Sequence, residues 1–513
     1  LFSPHLLPDT CPSESLPRMK LPFSAFLPLG LWLLGSFSLR GAESPAPQSS
    51  DKPASVAKAT NPNPADPKGR QRVLQGKLNL TEAVNLAMRQ NPDVQRAIRE
   101  VERSHGYFVE VRAQALPRLG VVSALNQIEE KLASGGGPVT GLQTTSWNIT
   151  LQLRQPLYAG GAISANIKAA KLSQNAAYYS LRDTLDRIVA EVRKQFTQVL
   201  LAEALIEVAE ESVELAQKQL EDAKNRFDAG TVPRFNVLRT EVELASLRPT
   251  LIRAKNDFLI ARLQLSKLLG LEASPSGKPE FQCVGELLVE ERSFNLAESI
   301  KLSRARRPSL KAQREQILVE KERIQSALAG FKPKINAQLN YETRNRFNDP
   351  SFENRISGYF LGLTGSWDIF SGFETVGQVS QARARMESAM VSYEDSMQQV
   401  ELEVQKAFAD LQQHRETIES QAKNVQQALE ALRLAQERLS AGAGTQLEVL
   451  DARVALTRAR NTELQARGDY VRTLADFDRV TALSTQYEDS FKDPLAILEK
   501  SLLKQAPVSL FKP

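Results

Sequence analysis

Two hydrophobic periods alternate along the chain. From Ala162 to Ala229 neither glycine nor proline occurs, and Ile188, Val192, Phe196, Val199, Leu205 and Val208 recur at helical spacing against an opposite polar face. From Phe373 to Ala441 there is no proline and a single glycine, Gly377. Helices of this length would reach about 100 Å at 1.5 Å per residue and need a partner along that length. Return helices are expected over about 234–270 and 446–483, and shorter helices over about 92–115 and 308–331. Pro249 predicts a bend in the first return helix.

The other period is two. Trp147, Ile149, Leu151 and Leu153 alternate with Ser146, Asn148, Thr150, Gln152 and Arg154. Further on, Tyr359, Leu361, Leu363 and Trp367 alternate with Gly358, Gly362, Thr364, Ser366 and Asp368. The preceding segments agree in phase, with Leu119, Val121 and Leu125 in one and Ile335, Leu339 and Tyr341 in the other. Strands are therefore expected within about 118–156 and 334–368. One side is apolar and the other small or polar, which suits a barrel with lipid outside and water inside. Trp147, Tyr359 and Trp367 lie where an interfacial aromatic girdle belongs. A half-buried hairpin of a water-soluble protein would show the same alternation.

These elements occur twice in the same order. LTEAVNLAMRQNP from Leu80 resembles LAESIKLSRARRP from Leu296, with Pro92 and Pro308 standing 216 positions apart. LYAGG from Leu157 matches IFSGF from Ile369, and RFDAGTVPRFNVLRTEVEL from Arg226 matches RLSAGAGTQLEVLDARVAL from Arg438, each 212 positions apart. Units of roughly 190 to 200 residues are too long for solenoid repeats. The two units are 77–270 and 296–483, joined by a linker at 271–295 and followed by a C-terminal tail at 484–513.

Composition narrows the function. Net charge is +5, and basic residues are interspersed with acids, so nothing marks a nucleic-acid surface. Two cysteines and three scattered histidines make no metal-ligand spacing, and no nucleophile–base pair or phosphate loop is visible. Neither an enzyme nor a cofactor is expected. Met19-Lys20, an apolar run and then small residues read as a signal peptide over 19–42, which makes 1–18 an over-extended start. Residues 43–76, rich in Pro, Ala, Ser, Asn and Lys, read as a disordered leader.

Several marks in this order resemble the TolC family of outer-membrane efflux proteins. They are LAMRQNP from Leu86, the Leu-Pro before the first strand, QPLYAGG with its counterpart DIFSGF, and two Ala-Gly turns each followed by Val-Leu. The resemblance implies a mainly α fold with a membrane β-barrel portion, in which the duplicated unit contributes long coiled-coil helices and two β-hairpins. It implies a homotrimer with a twelve-stranded barrel and a twelve-helix periplasmic tunnel, in contact with outer-membrane lipid. It further implies a periplasmic adaptor and an inner-membrane pump or ABC ATPase as partners, for efflux or type I secretion.

The segments 271–295 and 484–513 match an equatorial belt in position. Gly230, Thr231 and Val232, with Gly442, Ala443 and Gly444, form the tips that would dock the adaptor. Glu448 and Asp451 are three residues apart past the second tip and would form an acidic gate ring in a trimer. Both copies depart from that pattern: the first has Asn236 and Arg239 at the matching positions, and the second has Gly444, two residues after Gly442, where a basic residue would complete a charged latch. A soluble periplasmic coiled-coil rod or adaptor remains the alternative.

Overall fold

The computed structural model describes residues 76–128, 145–271, 279, 281–287, 289, 292–346 and 351–483. All of them lie in one unit, 67–513. The expected start, signal peptide, C-terminal tail and nearly all of the leader fall outside the described residues, as does the connection 129–144.

Each copy opens with a short helix pair. α1 (Leu80–Gln90) begins with a reciprocal capping box: the Asn79 side chain accepts from Glu82 N–H, while the Glu82 carboxylate accepts from Asn79 N–H. α2 (Pro92–Ala113) starts with proline at its first position, where no helical N–H is needed. After β2 (Arg118–Gln127) and β3 (Thr145–Ala159) come α3 (Ala162–Asp228) and its return α4 (Arg234–Leu269). Pro249 lies inside α4, which continues through it without a break.

The second copy repeats this with α5 (Leu296–Arg306), α6 (Pro308–Leu328) and a short 3-10 turn, then β5 (Lys334–Asn345), β6 (Arg355–Ser366), α7 (Glu374–Ser440) and α8 (Gln446–Val480). Two three-residue strands, β1 (Gly76–Leu78) and β4 (Phe281–Cys283), pair in parallel and tie the linker back to the start of the first copy. Cys283 is buried and free, and desolvation pushes its thiol up to about 12, so it stays protonated and unreactive.

Long helices pack side by side in the order α4, α3, α8, α7. The main core lies where α1, α2 and β4 close on α3 and α4, and it contains Val94, Ile188, Val192, Leu265, Leu269 and Phe281. A smaller one in the second copy centres on Phe477, whose ring is 4.4 Å from that of Phe294. An ion-pair cluster joins the copies: buried Asp478 on α8 takes Arg193 of α3 at 3.2 Å and Arg292 at 3.5 Å.

Both copies must satisfy the carbonyl at the end of their return helix. In the first, the Asn91 amide donates to Leu268 C=O at 2.7 Å. The position matching Asn91 in the second copy is Arg307, which is drawn to Glu403 at 2.6 Å. There Ser303 supplies the bond, donating to Val480 C=O at 2.8 Å.

Nearer the tips α3, α4 and α8 share a polar layer. Buried Arg453 donates to Gln219 at 2.6 Å. Desolvation lowers its pKa and the charge of Glu243 raises it. Burial likewise raises the Glu243 carboxyl, against the pull of Arg453 and Arg239. Glu243 therefore binds a proton more readily folded than unfolded. Its contribution to stability is greatest at low pH and is lost as pH rises through its folded pKa.

Sharp turns join strand to helix. Gly160 (φ +64°) and Gly161 (φ +94°) end β3, and a Cβ on Gly160 would lie 2.6 Å from Ala329 O of the other copy. At the equivalent of Gly161 the second copy has Phe373, held at φ 67°.

Gly160→Ala should lower the thermal midpoint of helical circular dichroism, because the backbone conformation alone costs about 1–3 kcal/mol and the new methyl also meets that carbonyl. Gly358→Ala, with no atom within 4 Å of the added Cβ, should leave it unchanged. In the polar layer, Glu243→Gln fixes neutral a carboxyl whose charge burial disfavours, so it should raise the same midpoint at neutral pH and lose that gain at acid pH; a lower midpoint at neutral pH would show that the charge of Arg453 outweighs burial there.

Candidate functional site

Four strands form one antiparallel sheet in the order β2-β3-β5-β6. The register sets what each face carries. Val121, Leu151, Tyr341 and Tyr359 lie directly across from one another on four successive strands, as do Leu119, Leu153, Leu339 and Leu361. Leu363 extends the same face on β6, and Ile149 on β3. Most of this face is bare: Tyr359 is 80% exposed, Leu363 71%, Leu361 70% and Leu119 68%, while Leu153 is half-buried between its neighbours.

The opposite face carries the charge. The four strands contain six charged residues, and five of them, Arg118, Arg154, Lys334, Glu342 and Arg344, lie on this face. The sixth, Arg355, is the first residue of β6. Gln152, Asn340, Thr150 and Gln338 fill the rows between them.

Of the expected girdle aromatics, one needs correction. Trp147 belongs to the apolar face but is only 6% exposed, because Phe352 from the β5–β6 connection stacks on it with ring centroids 4.6 Å apart. Its backbone N–H donates to the Asn345 side-chain oxygen at 2.9 Å. Phe352 therefore takes the exposed place. Trp367 stands one residue beyond β6, where its indole donates to Phe331 C=O at 3.0 Å. Around it Ile369, Phe370 and Phe373 are also exposed, forming an apolar collar where sheet becomes helix. No sequence period marks Phe352, because a loop brings it in.

At the far ends of the long helices lie the tips. Gly230 and Gly442 have φ of 71° and 73°, the left-handed conformation that closes a helix. Thr231 N–H bonds Arg226 C=O and Gly230 N–H bonds Phe227 C=O; Ala443 to Arg438 and Gly442 to Leu439 repeat the pattern. Val232 precedes Pro233, the N-cap of α4. Gly444 admits no side chain, since a Cβ there would lie 2.9 Å from Leu439 N.

Beyond the second tip Thr445 caps α8, accepting from Glu448 N–H at 3.3 Å. The Glu448 carboxylate is 3.4 Å from Arg438, which also donates to Ala443 C=O at 3.3 Å. The basic residue at this tip thus comes from the end of α7 rather than from the turn, and its bond stays within one hairpin. Asp451 is exposed one turn on. Asn236 and Arg239 are half-buried on the α3–α4 hairpin, a different one from that of Glu448, and the charge of Arg239 acts on Glu243 four residues along its own helix.

One apolar surface escaped the sequence reading. Phe235, Leu238, Val242, Ala245 and Ile252 are exposed along α4 at alternating steps that fit a heptad seam, with Leu263 continuing it. Its signal was present in the spacing. Only the structure shows that neither α3 nor α8 covers it. Among the described residues no helix is long and apolar enough to cross a membrane, and no cluster of His, Cys, Asp and Glu could hold a metal.

Known proteins share this arrangement. The chain is 24% identical over 406 residues to the alkaline protease secretion protein AprF of Pseudomonas aeruginosa, covering 77% of this chain and 82% of that protein. It is 23% identical over 416 residues to the outer membrane protein TolC of Escherichia coli, covering 77% and 80%. The solved structure of the CmeC outer membrane channel of Campylobacter jejuni superposes with a TM-score of 0.69 at 16% identity, over 80% of this chain and 88% of that one. The pattern of the family described as outer membrane efflux protein matches residues 83–271 and again 299–482, once for each copy of the duplicated unit. The chain belongs to the outer membrane efflux protein family.

Proposed function

We propose that three copies of this chain close into a passive conduit across the outer membrane, serving an efflux or type I secretion system. The observation that carries it is the two-faced sheet. Its bare apolar face suits lipid, its charged face suits water, and its outer strands β2 and β6 end in open edges. Open edges cannot face hydrocarbon, where an unpaired backbone group costs several kcal/mol. Pairing β6 of one copy with β2 of the next satisfies both.

The helices make the same demand. α4 and α7 are the outer members of their row. α4 exposes its heptad seam, and α7 exposes Val376, Val391 and Leu402. Seating α7 of one copy on α4 of the next covers both in the same rotational sense as the strands. This is a head-to-tail contact that closes as a ring. The resemblance to the family selects three copies, giving twelve strands and a tunnel of twelve helices. The collar around Trp367 and Phe370 then lies at the periplasmic interface of the outer membrane.

At the tips, Glu448 and Asp451 from three copies supply six carboxylates around the periplasmic entrance. The exposed turns at Gly230–Val232 and Gly442–Gly444 dock a periplasmic adaptor that couples the conduit to an inner-membrane pump or ATPase. No catalytic step is assigned to the chain.

Detergent extraction of the membrane-inserted protein should yield an SDS-resistant trimer that conducts ions in planar bilayers. A water-soluble monomer that needs no detergent would overturn the channel reading in favour of a coiled-coil rod. Val242→Asp/Ile252→Asp, which charges the α4 seam, should yield monomers with unchanged helical content. Glu448→Ala/Asp451→Ala should abolish block of the channel by multivalent cations; undiminished block would remove the acidic ring.

A further inference from the structure

We propose that the barrel lumen carries a basic ring at its helix-proximal end and that this ring favours the passage of anionic solutes. The inference rests on the trimeric barrel proposed above and deepens it by naming the charge class that the lumen prefers.

The ring is written in the register. Arg118 is the first residue of β2 and lies directly opposite Arg154 on β3. Like charges at directly opposed positions weaken a sheet. This pair nevertheless stands without an ion-pair partner among the described residues, and both side chains are exposed. The rest of the row is Gln338 and Gly362, and the flanking rows supply Gln152, Asn340, Asn336 and Thr364. None of these carries negative charge. Lys334, the first residue of β5, adds a third cation at the same end of the sheet.

The sole carboxylate on this face in the described strands is Glu342. It lies nearer the far end, two residues from Arg344 on the same strand and the same face, and the two offset each other. Just past the end of β6, Asp368 follows in the same phase and offsets Lys334, so each chain presents the Arg118–Arg154 pair as its uncompensated cations near the junction of barrel and tunnel. In the trimer they come from three sides at one height.

Pore size decides whether such charges act on a passing solute. Twelve strands spaced ~4.8 Å apart and tilted ~40° enclose a backbone radius of about 12 Å. Arginine side chains reach inward by roughly half of that radius, and the clear passage then has a radius of about 6 Å, shorter than the Debye length of ~8 Å at physiological ionic strength. The potentials from opposite walls overlap, and anions are enriched over cations in the constriction. The conduit is thereby bipolar, with carboxylates at the tips and guanidinium groups at the barrel. Whichever constriction is narrower sets the selectivity of the closed-tip channel, so the ring is read most directly once the tip carboxylates are neutralised.

Reversal potentials in a potassium chloride gradient across planar bilayers test this with the full trimer. In a Glu448→Gln/Asp451→Asn background, chloride should permeate severalfold better than potassium. Adding Arg118→Gln/Arg154→Gln should bring the ratio to near unity, each single arginine change should give an intermediate value, and Arg118→Lys/Arg154→Lys should retain the preference. Glutamine already occupies two neighbouring positions on this face, and SDS resistance of each variant reports that the oligomer still forms. If the double glutamine variant does not assemble, the single variants decide. Conductance with a ratio that ignores all the arginine-to-glutamine changes would overturn the ring and leave the channel standing. Absence of conductance in the unaltered protein would overturn the channel, and the ring with it.

Discussion

The constraint on which the architecture depends is the backbone at the edges of a four-stranded sheet. β2 and β6 each present one side of their main chain to no neighbour, over 10 and 12 residues respectively. In water those groups would be solvated. In hydrocarbon nothing can solvate them, so a single chain of this sequence has no complete solution in a membrane. The same strands carry leucines and tyrosines on one face and nearly all of the sheet's charge on the other. That polarity excludes burying the charged face against lipid. Closure with further copies satisfies both demands, and it places the charged face around water.

The helices carry this requirement away from the sheet. A 67-residue helix has no core of its own and must bury its seam against neighbours. α3 does so thoroughly, with Ile188, Val192, Phe196 and Val199 all nearly inaccessible. The outer helices α4 and α7 keep apolar seams bare within one chain. Sheet and helices therefore leave their unfinished surfaces at corresponding ends of the duplicated unit, one belonging to the first copy and one to the second. A duplication that produces two matching edges is well suited to ring closure.

The copies have diverged where the same structural need has more than one chemical answer. A carbonyl in the last turn of the return helix takes an amide from Asn91 in one copy and a hydroxyl from Ser303 in the other. The residue matching Asn91 is thereby released to become Arg307 and to pair with Glu403. At the strand-to-helix turn Gly161 is matched by Phe373, which accepts a left-handed conformation and presents its ring beside Phe370 at 5.5 Å. There a backbone cost is exchanged for an apolar group in the collar. Strict two-fold repetition is not what the fold requires; matched hydrogen bonding is.

The long helices, their glycine turns and the alternating strands were legible in the sequence, because each is a local property. Helical spacing without breakers produces α3 and α7, left-handed glycines end them, and a period of two separates the faces of a strand. The duplication was equally plain, since it needs only the chain compared with itself. Contacts between distant segments were not legible. Phe352 covers Trp147 because a loop folds back, and Arg438 reaches Glu448 because two helix ends meet across a turn. The strand order, and hence which edges stay open and which arginines face each other, follows from how the two copies are placed side by side. Periodicity records what one element wants to bury. Only tertiary structure decides what is left to cover it.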